Sequence, residues 1–253
     1  MALVFCGIVY LLDAATGTVD ASSVWGMIYG AAATAFMIGS AVYAVRRRTM
    51  RFGVGRARSW QQFHIYGGSL FLLLTLMHSA FRFPQGAMTA WLLLLSVWIF
   101  VSGLIGLFIQ KWIPKLLSTL SVEAIYERIP ELVEDLRNKA ETIVEESPVP
   151  VKDFYETSLA PAMVTPTNRL RYFGNVSAGL HERSGEFELL RTLVSAEDRE
   201  RVVTLENIYV SKLELDAHYT LQKALRWWLF LHVPPSLVLL VLVALHIFSV
   251  FYY

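Results

Sequence analysis

Four histidines are the residues of this chain best placed to do chemistry. His64 and His78 are fourteen residues apart, and so are His232 and His246. At about 100° per residue, fourteen helical steps fall about 40° short of four full turns, so the members of each pair share a helix face. The same steps rise roughly 21 Å, which sets one imidazole toward each side of a hydrocarbon core about 30 Å thick. Paired imidazoles bind metals when the helices carrying them bring them face to face.

The elements that must do this are apolar. Of 253 residues, 55% are hydrophobic and only 17% charged, against about 25% charged in ordinary soluble domains. A helix needs about 20 mostly apolar residues to cross the core. Four stretches qualify: near Val24 to Val45, Trp60 to Phe81, Thr89 to Ile109 and Trp227 to Tyr253. The expected architecture is an all-α membrane protein, a four-transmembrane-helix bundle with a partly helical cytoplasmic insertion between helices three and four. Its parts are residues 1–20, a short segment at the membrane surface; 21–110, helices one to three; 111–225, the insertion; and 226–253, helix four. Ala2 to Leu12 is too short to span, and no basic region precedes it as a signal peptide would require.

Orientation follows from basic residues near the helix ends. Arg46, Arg47, Arg48, Arg51, Arg56 and Arg58 lie between helices one and two, whereas only Arg82 lies between two and three. The Arg cluster is therefore expected in the cytoplasm of a plasma (inner) membrane protein whose N-terminus is outside. Helices two and four then both run outward, so His64 matches His232 in depth and His78 matches His246.

Each level thus offers two imidazoles across a gap. An iron macrocycle ligated above and below fills such a gap, which is the arrangement of two stacked b-type haems in a helical bundle. Zinc wants three or four protein ligands, and no Asp or Glu falls inside the four stretches. The ordinary alternative, hydrogen-bonded core histidines, is weakened because ionisable groups inside membranes are costly and here occur at two matched levels. The expected cofactors are two haem b, the inner on His64 and His232, the outer on His78 and His246.

Supporting residues carry weaker signals. Trp60 and Trp228 each precede a histidine by four, as haem neighbours or as an interfacial aromatic belt. Gly67 and Gly68 would admit a flat ring to the backbone, or serve helix packing. Arg82, four residues past His78, suits haem propionates or snorkels to headgroups. Arg58 and Arg226 are weaker candidates at the inner level. Pro234 and Pro235 should kink helix four one turn past His232, and Gly103-x-x-Gly106 reads as a packing notch. His218 and His181 read as ordinary non-ligand histidines.

The stretch 111–225 holds 19 Asp/Glu against 14 Lys/Arg. Ser121 to Glu146 reads as an amphipathic helix. Ser195-x-x-Asp198 resembles a capping box that opens a second helix able to run on into helix four. Net charge of +1 excludes a nucleic-acid binder, and a single cysteine, Cys6, excludes a disulfide or a cysteine-ligated cluster. Gly53-Val54-Gly55 lacks the third glycine and the preceding strand of a dinucleotide fingerprint.

With His64, His78, His232 and His246 in hand, the chain resembles the dihaem membrane cytochrome b group. His78-Ser79-Ala80-Phe81-Arg82-Phe83 and Leu231-His232-Val233-Pro234 are similar to bacterial cytochrome-b-like electron-transfer subunits. The resemblance implies a subunit that passes electrons across the membrane, with membrane lipid, a cytoplasmic redox partner on 111–225 and a periplasmic carrier as its partners. The runner-up is a quinol- or quinone-reactive subunit. From another class come a haem-handling protein and a structural anchor.

Overall fold

A computed structural model describes residues 2–15, 20–49, 56–167, 169–174, 176 and 183–252. His181 and Gly53-Val54-Gly55 lie outside the described residues, which are helical with no strand among them. The longer helices are α1 (Ala2–Ala15), α2 (Val24–Thr49), α3 (Ala57–His78), α4 (Ala87–Leu117), α5 (Ile129–Glu145), α6 (Val149–Phe154), α7 (Ser184–Leu193) and α8 (Asp198–Tyr252). The chain divides into two compact units, Met1–Gly106 with Leu229–Tyr253, and Leu107–Trp228.

In the first unit, Tyr29 and Ala33 of α2, Phe71, Leu74 and Met77 of α3, Leu92 of α4 and Leu239 of α8 are buried in one apolar cluster. The faces turned away from it are also apolar: Met27, Ile38, Trp91, Leu104, Val241 and Phe251 are all exposed. A shell of exposed large hydrophobics around a small core suits lipid rather than water as the surrounding solvent. Tyr10 of α1 packs on this cluster, with ring contacts to Tyr29 and Phe81.

Three helices are long and apolar enough to cross a membrane: α2 through Val24–Ala44, α4, and α8. This is consistent with a membrane protein. The expected four spans become three by that measure. At 22 residues α3 has the length, but Gln61, Gln62, His64 and His78 dilute it, so the residues that make it interesting also lower its hydropathy.

In the second unit α8 is the central element, buried on every side from Lys212 to His218. Its polar residues hold two extended segments. Glu214 accepts the amides of Ser121 (3.1 Å) and Val122 (2.9 Å), and His218 Nε2–H donates to the Val122 carbonyl at 2.6 Å. On the other side Asp216 accepts the Thr167 amide at 2.7 Å and Thr220 accepts the Arg169 amide at 3.1 Å. This explains why α5 starts at Ile129 and not at Ser121. Residues 121–124 are bound edge-on to α8, and Pro130 sits in the first turn, where a missing N–H costs nothing. The capping pair is formed: Ser195 Oγ donates to the Asp198 carboxylate at 2.7 Å and accepts the Asp198 amide at 3.3 Å. From there α8 runs unbroken for 55 residues.

Candidate functional site

α3 and α8 bring the four histidines together in two pairs. The His64 and His232 ring centres are 6.4 Å apart with planes at 77°, and those of His78 and His246 are 6.3 Å apart at 74°. A metal between two opposed imidazoles, about 2 Å from each nitrogen and with each nitrogen about 1.1 Å from its ring centre, sets the centres about 6.2 Å apart. Both pairs therefore have the spacing of a shared axial metal. Among the described residues no group of three or more His, Cys, Asp or Glu converges on a common point, so neither pair belongs to a zinc-type ligand set.

Two of these rings are held by hydrogen bonds. His78 Nδ1 lies 2.8 Å from the Gly26 carbonyl oxygen. A carbonyl only accepts, so Nδ1 carries the proton of this bond. His232 Nδ1 lies 2.8 Å from Ser102 Oγ, which also lies 3.1 Å from the Ile99 carbonyl. That contact orients the His232 ring, and with the hydroxyl proton on Ile99 the oxygen is an acceptor for Nδ1–H. This is how ligating histidines are ordinarily held. Nδ1 of His246 is buried with no hydrogen-bond partner, while the His64 ring lies against the backbone of Ser40 on α2. The donor set and spacing fit two bis-histidine haems.

The helices that do not carry ligands shape the site. A Cβ at Gly30 would lie 3.0 Å from Nδ1 of His78, so the missing side chain is what lets that ring lie against α2. At Gly103 a Cβ would stand 3.6 Å from the His232 ring, an ordinary contact. Pro235 has no amide for the Leu231 carbonyl one turn back, and that carbonyl accepts from Trp98 Nε1–H at 3.0 Å instead. Trp98 and Ser102 are one turn apart on α4 and both serve the His232 turn. Sequence reasoning missed Gly26, Gly30, Trp98 and Ser102. The available signal was Gly26-x3-Gly30, a small-residue pair of the kind that lets helices approach closely.

The supporting residues separate. Gly67 packs on α2, where its Cβ would meet Phe36 at 3.4 Å, while a Cβ at Gly68 would meet nothing within 4 Å, so only Gly68 borders open space. Trp60 lines an open apolar groove of about 430 Å³ with Gly39, Val42, Ser59 and Phe63, and Arg46 stacks on its ring at 5.3 Å. Trp228 is half-buried in α8 and Arg58 is exposed. Arg82 does not continue the face of His78, because α3 ends at His78 and the chain turns through Ala80 (φ 52°) and Phe81 (φ 55°). Arg226 pairs with Glu127 and stacks on Tyr126. The Glu127 carboxyl is held below its ordinary range by its own backbone amide and by that guanidinium. His218 is a satisfied structural histidine, with Gln222 Nε2 3.1 Å from its Nδ1.

Comparison with protein-family models, with curated proteins and with solved structures finds no match.

Proposed function

We propose that this chain is a transmembrane electron-transfer subunit holding two b-type haems, the inner between His64 and His232 and the outer between His78 and His246. The observation that carries this reading is the pair of imidazole–imidazole spacings, 6.4 and 6.3 Å. The oxygens that lie 2.8 Å from Nδ1 of His78 and of His232 support it. In this reading α3 is a fourth span, shielded by its neighbours. The Arg cluster and residues 111–225 lie in the cytoplasm, and the N-terminus lies outside, as the basic residues near the helix ends favour.

When bound, each haem supplies a one-electron carrier whose iron alternates between ferric and ferrous. The chain does the rest. His64 with His232, and His78 with His246, would hold the two haems, and the chemistry supplied there would be electron exchange. Ser102 and the Gly26 carbonyl hold protons on Nδ1, so that Nε2 is the ligating atom. Phe71, Leu74 and Met77, on α3 between His64 and His78, are buried and exclude water from the interval between the levels. The acidic surface of 111–225 suits a basic face on a cytoplasmic redox partner, and the outer level suits a carrier beyond the membrane.

The test is the oxidised and dithionite-reduced absorption spectrum of purified protein, with haem quantified per chain. Two b-type haems per chain with sharp reduced α-bands are expected. Folded protein made with ample haem and remaining colourless would refute the reading.

A further inference from the structure

We propose that Ser102 and the Gly26–Gly30 turn are positioning residues that set the electron affinity of the two haem levels separately: Ser102 of α4 through His232, and the Gly26 carbonyl of α2 through His78. This rests on the haem reading above.

A hydrogen bond from Nδ1–H to an oxygen pushes electron density toward Nε2 and makes it a more basic ligand. A more basic ligand stabilises ferric over ferrous iron and lowers the midpoint potential. In each pair one ring, His232 or His78, has such an oxygen at 2.8 Å on a helix that carries no ligand. Each level therefore has a ligand that a neighbouring helix can tune. The acceptors come from different helices and differ in kind. At the inner level it is a side-chain hydroxyl that spends its own proton on Ile99, so a single substitution removes it. At the outer level it is a backbone carbonyl, which no substitution removes, and access to it depends on Gly30 having no Cβ. The electron step is ferric iron plus one electron giving ferrous iron, with the Nδ1 proton staying in place throughout.

The experiment measures midpoint potentials in single-haem backgrounds of the full chain, His78→Ala leaving the inner haem and His64→Ala leaving the outer. Ser102→Ala is expected to raise the inner midpoint by an amount of order tenfold in the reduction equilibrium, about 59 mV for one electron, and to leave the outer one unmoved. Ser102→Thr, which keeps the hydroxyl, is expected to restore the wild-type value. Should Ser102→Ala lose the inner haem outright, Ser102→Cys, a weaker acceptor, is expected to give a smaller upward shift in the same direction. Gly30→Ala is expected to raise the outer midpoint alone and to alter its low-spin electron paramagnetic resonance signal. Fully occupied Ser102→Ala protein with an unchanged inner midpoint, or with both levels shifted equally, would overturn the assignment while leaving the haem reading intact. A wild-type chain that takes up no haem would overturn both.

Discussion

At the scale of single residues, the pairing of histidines predicts a selective loss. His78→Ala or His246→Ala should remove one haem and leave the inner one, read as haem per chain falling from two to one with the remaining α-band sharp; retention of both in either variant would break the pairing. Two buried polar residues of the second unit behave oppositely to each other. Lys212 and Asp216 are fully buried and paired at 2.7 Å. Lys212→Met leaves the Asp216 carboxylate without its buried partner and should cost about 3–5 kcal/mol, much of it regained in Lys212→Met/Asp216→Asn, which removes the charge and keeps an acceptor for the Thr167 amide. Denaturant unfolding of the three proteins checks this. Tyr172 is fully buried, with the Arg171 guanidinium beside its ring. Burial first, and the Asp216 carboxylate second, push its phenol up to about 12. A raised folded-state pKa means a contribution intact below the ordinary value of 10 and lost as pH rises from 10 through 12. Tyr172→Phe should therefore match or exceed wild type by up to about 1 kcal/mol at neutral pH and lose less stability between pH 10 and 12. Thermal melts across that range give the answer, and a wild-type-like alkaline loss in the variant would contradict it.

At the scale of elements, helix α8 continues past Pro234 and Pro235, and another helix takes over a hydrogen bond that the second proline cannot make. Trp98→Phe should be destabilising in wild type and much less so in Pro235→Ala, where the Leu231 carbonyl regains a helical amide. The coupling from this double-mutant cycle should be about 0.5–1.5 kcal/mol; strict additivity would show that the indole bond contributes nothing. The same helix shows which features were legible in the sequence. Ser195 and Asp198 marked its start and the fourteen-residue spacing marked its histidines, because both signals are local and periodic. The hydrogen bonds from Glu214, Asp216 and His218 to segments roughly 50 to 100 residues away leave no local trace, so α5 was expected eight residues too early. Ser102 and Gly26 were silent for the same reason. A residue that orients a ligand from a neighbouring helix has no fixed sequence distance to it. Arg82 is off the helical face of His78 for a different reason: the periodicity was carried past the helix end, where two non-glycine residues with positive φ turn the chain.

At the scale of the whole molecule, the acid-free stretch from Ala21 to Val122 and its Arg-rich connection lead to a sidedness test. A cysteine introduced at Ser195 in a Cys6→Ala background should react with impermeant maleimide only when the cytoplasmic face is opened, and one at Gln85 should react in intact cells. The reverse pattern would invert the proposed topology. The hydrogen bond between His78 and Gly26 also has a consequence in time. Both residues are made early, and so is Ser102, whereas the other half of each pair waits for α8, about 150 residues further on. At about 5–20 residues per second the ribosome takes roughly 8 to 30 seconds to cover that distance. For that interval the α2–α3 hairpin displays His64 and His78 without their mates, with His78 already oriented by the carbonyl behind it. On the proposed haem reading, cofactor capture is therefore expected to be a late event in biogenesis, completed by the arrival of a helix at a half-site already built.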